Sequence, residues 1–299
     1  MSKNLLLTGA TGFLGKTIAA SLTGYNIFTL GRNNGTHYPC DLSHQIPVLE
    51  QQFDIVVHAA GKAHTVPGTE QEKEDFFRVN HVGTLHLLKA LEKKLPRAFV
   101  LISTVAVYGL NTGRHITEDA PLLATDPYGS SKILAEEAVL AWCREHQVKC
   151  TIFRLPLLAG AHPPGNLGAM IEGIRKKRYA NISGGKARKS MVLAKDVAAI
   201  IPVAAGIGGT YNLTDGHHPS FRELGDHIAA QLHMGKVLNI PSWIAYPLAI
   251  AGNVIGDKFP FNTRKLKKIM LDLTFDDSMA KKKLNWNPTP VLKGFNVNG

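Results

Sequence analysis

The stretch LLLTGATGFLG, residues 5–15, decides the fold. Three leucines in succession form an apolar run with no polar alternation, which suits a strand buried on both faces. The run breaks at Thr8-Gly9, and glycines then fall at positions 9, 12 and 15. Gly9 permits a tight turn out of the strand, Gly12 lets the backbone approach a ligand closely, and Gly15 lets the following helix pack against the sheet. A helix that starts at such a turn offers free N–H groups and a partial positive charge, which together hold a pyrophosphate.

The rest of the first half repeats this strand-then-helix rhythm. Strands are expected over 4–8, 26–31, 53–58, 97–103 and 149–155, with helices over 12–24, 73–93 and 127–146. The last helix opens on Asp126-Pro127, a capping residue followed by proline in the first turn. Apolar strands alternating with helices predict an α/β fold, a Rossmann-type doubly wound parallel sheet whose ligands bind at the carboxyl ends of the strands. After Pro163-Pro164-Gly165 the rhythm loosens into helices over 166–178, 194–206, 220–233, 243–255, 263–270 and 277–284. The expected organisation is therefore a dinucleotide-binding domain over 1–160. A smaller substrate-binding lobe over 161–299 is partly interleaved with it.

Bulk properties narrow the function classes. A hydrophobic content of 44% with 19% charged residues describes a globular protein and argues against a disordered or fibrous one. Three cysteines, Cys40, Cys143 and Cys150, match no zinc or redox spacing and read as reduced thiols of a cytoplasmic protein, with no metal site expected. The chain enters a strand almost at once, so no signal peptide is expected. The longest apolar stretch, WIAYPLAIAGNVIG over 243–256, is interrupted by Pro247, Gly252 and Asn253. It falls short of the roughly 18–20 residues of a membrane span and reads as a core helix, with peripheral membrane contact left open. The net charge of +11 sits in short clusters, RKKR at 175–178, KARK at 186–189 and KKK at 281–283, without aromatic interleaving. That pattern fits solvated surface or an anionic small substrate better than nucleic acid.

Three further sites carry chemistry. The second strand, NIFTLGR, ends where a dinucleotide's adenosine ribose is read. A carboxylate there would bind both ribose hydroxyls, but this chain has Gly31-Arg32. A small residue followed by a guanidinium makes room for a 2′-phosphate and pairs with it, favouring NADP(H) over NAD(H); an exposed loop arginine is the plainer reading. In DPYGSSK (126–132), Tyr128 and Lys132 are spaced i, i+4 and share one helix face. An ammonium beside the phenol is expected to lower its pKa from about 10, suiting proton exchange with an alcohol or ketone. At the end of the strand LIST, Ser103 and Thr104 place hydroxyls where the sheet opens to ligand.

Together these residues resemble the extended short-chain dehydrogenase/reductase family, the nucleotide-sugar epimerases, dehydratases and reductases, over nearly the whole chain. TGATGFLG has that family's T-G-x-x-G-x-x-G spacing, and YGSSK is its Y-x-x-x-K. STVAVYG looks like its S-S-x-x-V-Y-G, RVNHVGTLHLLKA resembles its N-x-x-G-T helix, ITEDAPLLATDPYG is similar to the run before its tyrosine, and LNWNPTP looks like its ending. The resemblance implies Thr104, Tyr128 and Lys132 as the catalytic set. For the cofactor it implies Gly9, Thr11, Gly12, Phe13, Leu14, Gly15, Arg32, Asp41, Leu42, Ala59, Ala60, Ser103, Tyr128, Lys132 and Pro156. It implies Thr104, Tyr128 and Asn166 for the substrate, with Asn166 near the nucleotide-sugar phosphates or else a plain loop asparagine. A homodimer is also implied.

Departures from the family pattern bear on the activity. Sugar 4,6-dehydratases carry an Asp-Glu pair directly after the catalytic threonine; Val105 and Ala106 stand there and cannot exchange protons, which argues against dehydration. The family's V-H-V-D-D-V-A run is VLAKDVA here, keeping Asp196. HAAGKAH, GNL and KSMVLAKDVA look most like a bacterial polysaccharide branch of UDP-N-acetyl-sugar 4-epimerases and 4-ketoreductases. Three functions remain open. They are an NADPH-consuming 4-ketoreductase acting on a UDP-4-keto-6-deoxy-N-acetyl sugar, a 4-epimerase with tightly held NAD, and a redox-silent NADP-binding regulator. Arg32 favours the first over the second, because an epimerase regenerates its cofactor in each cycle and gains little from the NADPH pool. Tyr128 with Lys132 disfavours the third, since a regulator needs neither.

Overall fold

The computed structural model describes residues 3–63, 65–255 and 263–297, so His64 and Gly256, which close two of the runs quoted above, lie outside the described residues. The first half of the chain is β1 (Lys3–Thr8), α1 (Phe13–Ser21), β2 (Tyr25–Gly31), β3 (Tyr38–Pro39), β4 (Ile55–His58), α2 (Glu70–Phe77) and α3 (Gly83–Leu91). It continues through β5 (Ala98–Thr104), β6 (Gly113–Ile116), α4 (Pro127–Glu145), β7 (Lys149–Leu155) and β8 (Leu157–Ala159). The remainder runs α5 (Gly165–Arg175), β9 (Ala180–Ile182), β10 (Met191–Leu193), α6 (Ala194–Ile207), β11 (Gly209–Asn212), α7 (Phe221–Gln231) and β12 (Leu238–Ile240). It closes with α8 (Ser242–Ile255), α9 (Thr263–Met270), β13 (Leu273–Phe275), α10 (Ser278–Leu284) and α11 (Val291–Gly294).

Seven strands form one parallel sheet in the order β11-β7-β5-β4-β1-β2-β3. The chain winds outward from β1 to β2 and β3, then returns to β4 and winds the other way. The topological switch therefore lies between β1 and β4, and the crevice outside their carboxyl ends is where ligands of such sheets bind. The unbroken leucine run now has its reason. Leu5 and Leu7 face a core shared with α1 and α6, while Leu6 faces a second core shared with α3 and α4, and all three are fully buried. A strand covered on both faces has no use for a polar alternate residue.

The helix expected over 73–93 is present as one helical run from Glu70 to Leu91, in which a π turn over Arg78–Val82 joins α2 to α3. Asn80, inside that turn, is held by partners on other elements described below. Helix α4 starts as expected: the Asp126 carboxylate accepts the Gly129 N–H at 3.1 Å, and Pro127 occupies the first turn. Beyond residue 160, β11 completes the central sheet and α6 packs against α1, so this half of the chain builds part of the core around the central sheet. Short parallel pairs, β8 with β10, β9 with β12 and β6 with β13, organise the rest. At three to four residues, their runs are too short to stand out from the surrounding sequence. Among the described residues no helix is long and apolar enough to cross a membrane.

Behind the sheet's carboxyl edge sits a buried ion pair. Arg154 of β7 donates Nη2 to Glu136 of α4 at 2.8 Å and Nε to the same carboxylate at 3.1 Å. Their side chains are 7% and 1% exposed. Arg154 also donates to the Tyr108 hydroxyl at 3.1 Å, and Tyr108 donates to Asn212 at 2.8 Å. The network ties α4 to β7, to β11 and to the turn that follows β5. Glu136→Ala leaves a buried guanidinium unpaired and is expected to cost about 3–5 kcal/mol, read from urea unfolding of the variant against the native chain.

Candidate active site

The glycine turn is built by close approach. Gly9 has φ of +72°, and a Cβ there would stand 2.7 Å from the backbone of Ala59 and Ala60, beyond the end of β4. A Cβ on Gly15 would fall 2.0 Å from the Gly9 carbonyl oxygen, so only glycine lets α1 sit down on the turn. Gly12 caps α1 with no side-chain acceptor for the first N–H groups, and Thr11 and Gly12 are exposed. Leu14 is instead part of the core and Phe13 packs over Gly160. An uncapped helix start beside bare glycine backbone is a cradle that fits the pyrophosphate of a dinucleotide.

From that turn a chain of hydrogen bonds crosses the switch point. The Ala60 N–H donates to the Thr8 hydroxyl at 3.0 Å, and Thr8 Oγ1 lies 2.7 Å from His58 Nδ1. His58 Nε2 lies 3.0 Å from Thr84 Oγ1, which donates to the Asn80 carbonyl at 2.6 Å. Because Thr84 spends its proton on that carbonyl, His58 must donate from Nε2 and accept at Nδ1, which fixes a neutral imidazole. Burial pushes its pKa down to about 3, and the Lys132 charge adds to the effect. Asn80 carries the chain onward. Its Oδ1 accepts the Lys62 N–H at 2.7 Å, and its Nδ2 donates to the Lys62 carbonyl at 3.1 Å and to Ser131 Oγ at 2.9 Å. Ser131 in turn donates to the Tyr128 carbonyl at 2.8 Å.

The structure brings Thr104, Tyr128 and Lys132 together. Thr104 ends β5, and Tyr128 occupies the first turn of α4 within hydrogen-bond reach of the Thr104 hydroxyl. Lys132 is 5% exposed and donates from Nζ to the Ile102 carbonyl at 2.8 Å. Burial lowers its pKa to about 8, against the opposing pull of Glu136. The electrostatics correct one expectation: the Tyr128 phenol is held above its ordinary value of 10. Burial is the largest influence; the hydrogen bond with Thr104 lowers the pKa, and the Asp126 carboxylate raises it again. The Lys132 ammonium, turned to Ile102, does not offset burial.

Ser103 corrects a second expectation. Side chains alternate along β5, so Ser103 points away from Thr104 and donates its hydroxyl to Glu136, at 4% exposure. Leu42 likewise sends its side chain into the core beneath α3, while its carbonyl accepts from His86 at 2.7 Å. Asp41 holds the Ser43 N–H and hydroxyl at 3.0 and 2.6 Å; against burial, these bonds and the nearby Arg32 charge keep its carboxyl below the usual range. Arg32 itself is exposed just past the end of β2, where the Gly31 carbonyl accepts from the Thr36 hydroxyl at 3.2 Å. Pro156 is half-buried between β7 and β8, and Asn166 is exposed in the first turn of α5. Among the described residues no cluster of His, Cys, Asp and Glu could hold a metal.

Sequence reasoning assigned no role to His58, Thr84, Asn80, Glu136 or Arg154. Asn80 and Thr84 are the Asn and Thr of the N-x-x-G-T pattern in RVNHVGTLHLLKA, a signal that marked the run without saying what the two side chains hold. The neutral His58 has a thermodynamic consequence. The unfolded chain takes up a proton near pH 6.5 that the folded chain refuses until about pH 3, so its contribution to stability is complete above pH 6.5 and falls as pH drops. Acidification from pH 7 to pH 5 is expected to remove about 2 kcal/mol through this residue. The check is urea unfolding at both pH values for the native chain and His58→Asn, with the steeper loss in the native chain.

The chain is 28% identical to an N-acetyl-alpha-D-glucosaminyl-diphospho-ditrans,octacis-undecaprenol 4-epimerase of Escherichia coli O157:H7, over 92% of this chain and 88% of that one. It is 25% identical to a UDP-glucose 4-epimerase of Vibrio cholerae over 98% and 93%. The fold matches that of the Thermotoga maritima UDP-glucose 4-epimerase with UDP-glucose, at a TM-score of 0.74, 20% identity and coverage of 95% and 93%. It also matches RMD from Pseudomonas aeruginosa complexed with NADPH, at a TM-score of 0.71, 20% identity and coverage of 97% and 95%. Residues 5–213 match the family described as NAD dependent epimerase/dehydratase. The chain, with a UDP-glucose 4-epimerase among its relatives, therefore belongs to the NAD dependent epimerase/dehydratase family.

Proposed function

We propose that this protein reduces the C4 ketone of a UDP-linked N-acetyl-6-deoxy sugar with NADPH, in polysaccharide precursor synthesis. The observation that carries the reading is the end of β2, where Gly31 is followed by an exposed Arg32 and no carboxylate stands to bind the ribose hydroxyls. A guanidinium there pairs bidentately with a 2′-phosphate. The residues at Gly9, Gly12 and the start of α1 hold the pyrophosphate, with Ala59 and Ala60 lining the crevice. When bound, the nicotinamide supplies the hydride.

This chain's own residues supply the proton and the orientation. Thr104 donates to the keto oxygen and stabilises the charge that develops there. Tyr128 gives its proton to the same oxygen. Burial holds the phenol above its ordinary value, so it keeps the proton that it gives to this oxygen. Lys132, anchored on Ile102, fixes the reach of its ammonium toward a ribose, and Asn166 at the start of α5 is offered to the substrate diphosphate. Residues beyond 160 form the substrate lobe. We place the protein in the cytoplasm as a homodimer, in keeping with free thiols at Cys40, Cys143 and Cys150. A 4-epimerase is the second reading, favoured by the UDP-sugar 4-epimerase relatives.

The two readings separate on stoichiometry. Incubated with NADPH and a UDP-4-keto-6-deoxy-N-acetyl sugar, a reductase oxidises one NADPH per sugar reduced. An epimerase interconverts UDP-N-acetylglucosamine and its C4 epimer with no net change in cofactor, and that result would overturn the first reading. Arg32→Ala is expected to erase a preference for NADPH over NADH of roughly tenfold to hundredfold in Kd, the worth of a charge-assisted hydrogen bond. Tyr128→Phe is expected to lower kcat by roughly 10²–10⁴-fold while NADPH affinity, measured by fluorescence titration, persists.

A further inference from the structure

The chain reverses sharply where α4 ends, and the reversal brings two cysteines together. Gln147 has φ of +54°, the Val148 N–H donates to the Cys143 carbonyl at 2.9 Å, and the Gln147 N–H donates to the Arg144 carbonyl at 3.4 Å. This pair of bonds around a left-handed residue is the Schellman ending of a helix. Strand β7 begins directly after it, at Lys149, and returns along the helix that precedes it. Side chains alternate along a strand, so Cys150 and Ile152 share one face of β7. That face looks to α4, where Cys150 packs against the core that holds Ile152, Val139, Trp142 and Cys143. Cys143 is 2% exposed and Cys150 is half-buried. The Cys143 thiol donates a hydrogen bond to the Cys150 sulfur. That bond holds the Cys150 thiol below its ordinary value, against burial and the Glu136 charge; the same bond and burial push the Cys143 thiol up. The spacing of the two residues in sequence matches no redox motif, because the helix ending makes the pair.

We propose that Cys143 and Cys150 form an oxidation site, a thiol pair that hydrogen peroxide converts into a disulfide between α4 and β7. The roles follow from the asymmetry of the pair. Cys150 is the accessible member, and the hydrogen bond it accepts favours the thiolate, which is the attacking form. Its sulfur attacks one peroxide oxygen, the O–O bond breaks, and the departing hydroxide takes the thiol proton and leaves as water. Cys150 is then a sulfenic acid. The Cys143 sulfur attacks the Cys150 sulfur, the S–S bond forms as the S–O bond breaks, and a second water leaves with the Cys143 proton. Two thiols and one peroxide give one disulfide and two waters, with both electrons passing to the peroxide. Cys40 stands apart from this chemistry: it is buried and donates to the Gln45 carbonyl at 3.6 Å, and burial with the Asp41 charge pushes its thiol up. The disulfide adds a covalent tie between the two elements that the Glu136–Arg154 pair already joins. The site goes beyond the catalytic reading and does not depend on whether the enzyme reduces or epimerises.

The full chain is reduced with dithiothreitol, freed of it and treated with hydrogen peroxide. The expected result is a mass loss of about 2 Da, the two hydrogens given up in one disulfide. One of the three cysteines then remains titratable after denaturation, and dithiothreitol restores the other two. Peptide mapping is expected to join Cys143 to Cys150 and to leave Cys40 as the free thiol. In Cys143→Ala the resolving sulfur is gone, so the Cys150 sulfenic acid persists and is captured by dimedone. In Cys150→Ala no disulfide forms and Cys143 keeps its thiol. Circular dichroism checks the folding of each variant, and the native chain decides the matter by itself where a variant does not fold. A native chain that keeps all three thiols titratable after peroxide overturns the proposal. So does a Cys150 that runs on to sulfinic acid in the native chain, because Cys143 then fails to resolve it. A disulfide that includes Cys40, or one that joins two copies of the chain, overturns it as well.

Discussion

The proton order of the His58 relay is the constraint on which the site depends. Ala60 N–H, Thr8, His58, Thr84 and the Asn80 carbonyl form a single directed line, each group satisfied only if its neighbour is oriented one way. Buried polar groups without partners are costly, so the line fixes the carboxyl ends of β1 and β4 against the π turn. Asn80 then reaches Lys62 on one side and, through Ser131, the backbone of Tyr128 on the other. The glycine turn and the start of α4, from distant parts of the sequence, are thereby held in one hydrogen-bonded frame.

Helix α4 shows how one element serves two faces. Tyr128 and Lys132 look toward the crevice, while Glu136, one turn further on, belongs to the buried network with Arg154 and Ser103. The Glu136 charge also pulls the Lys132 pKa upward against burial. The ammonium is poised at about 8 by this opposition, and its position is set by the Ile102 carbonyl. Electrostatic poise and mechanical anchoring thus come from the same few residues.

Much of the fold was legible because the parallel sheet writes long apolar runs into the chain. Leu5–Leu7, Ile55–Val57 and Phe99–Leu101 needed no partner information to read as buried strands. The shared helix face of Tyr128 and Lys132 was legible because i, i+4 spacing on a capped helix is a local property. What escaped was non-local. The π turn at Asn80 goes with bonds to Lys62 and Ser131, neither of them near it in sequence. The inward turn of Ser103 depends on Glu136, and the upward shift of Tyr128 depends on how deeply the folded chain encloses it. The short strands β8 to β13 lack periodicity and exist through their pairing alone.

The order of strands in the sheet also sets an order of assembly. The strand that emerges first, β1, is central, and the sheet grows outward from it on both sides. The far edge is closed only when Gly209–Asn212 docks beside Thr151–Arg154. Until some two-thirds of the chain has been made, β7 therefore presents an unpaired parallel edge and an arginine whose partner Tyr108 still waits for Asn212. Parallel pairing across such separations is slow and exposes edges to other chains. The growing polypeptide must pass through that state every time it is synthesised, so the vulnerable moment for this enzyme comes during its making, before the site exists.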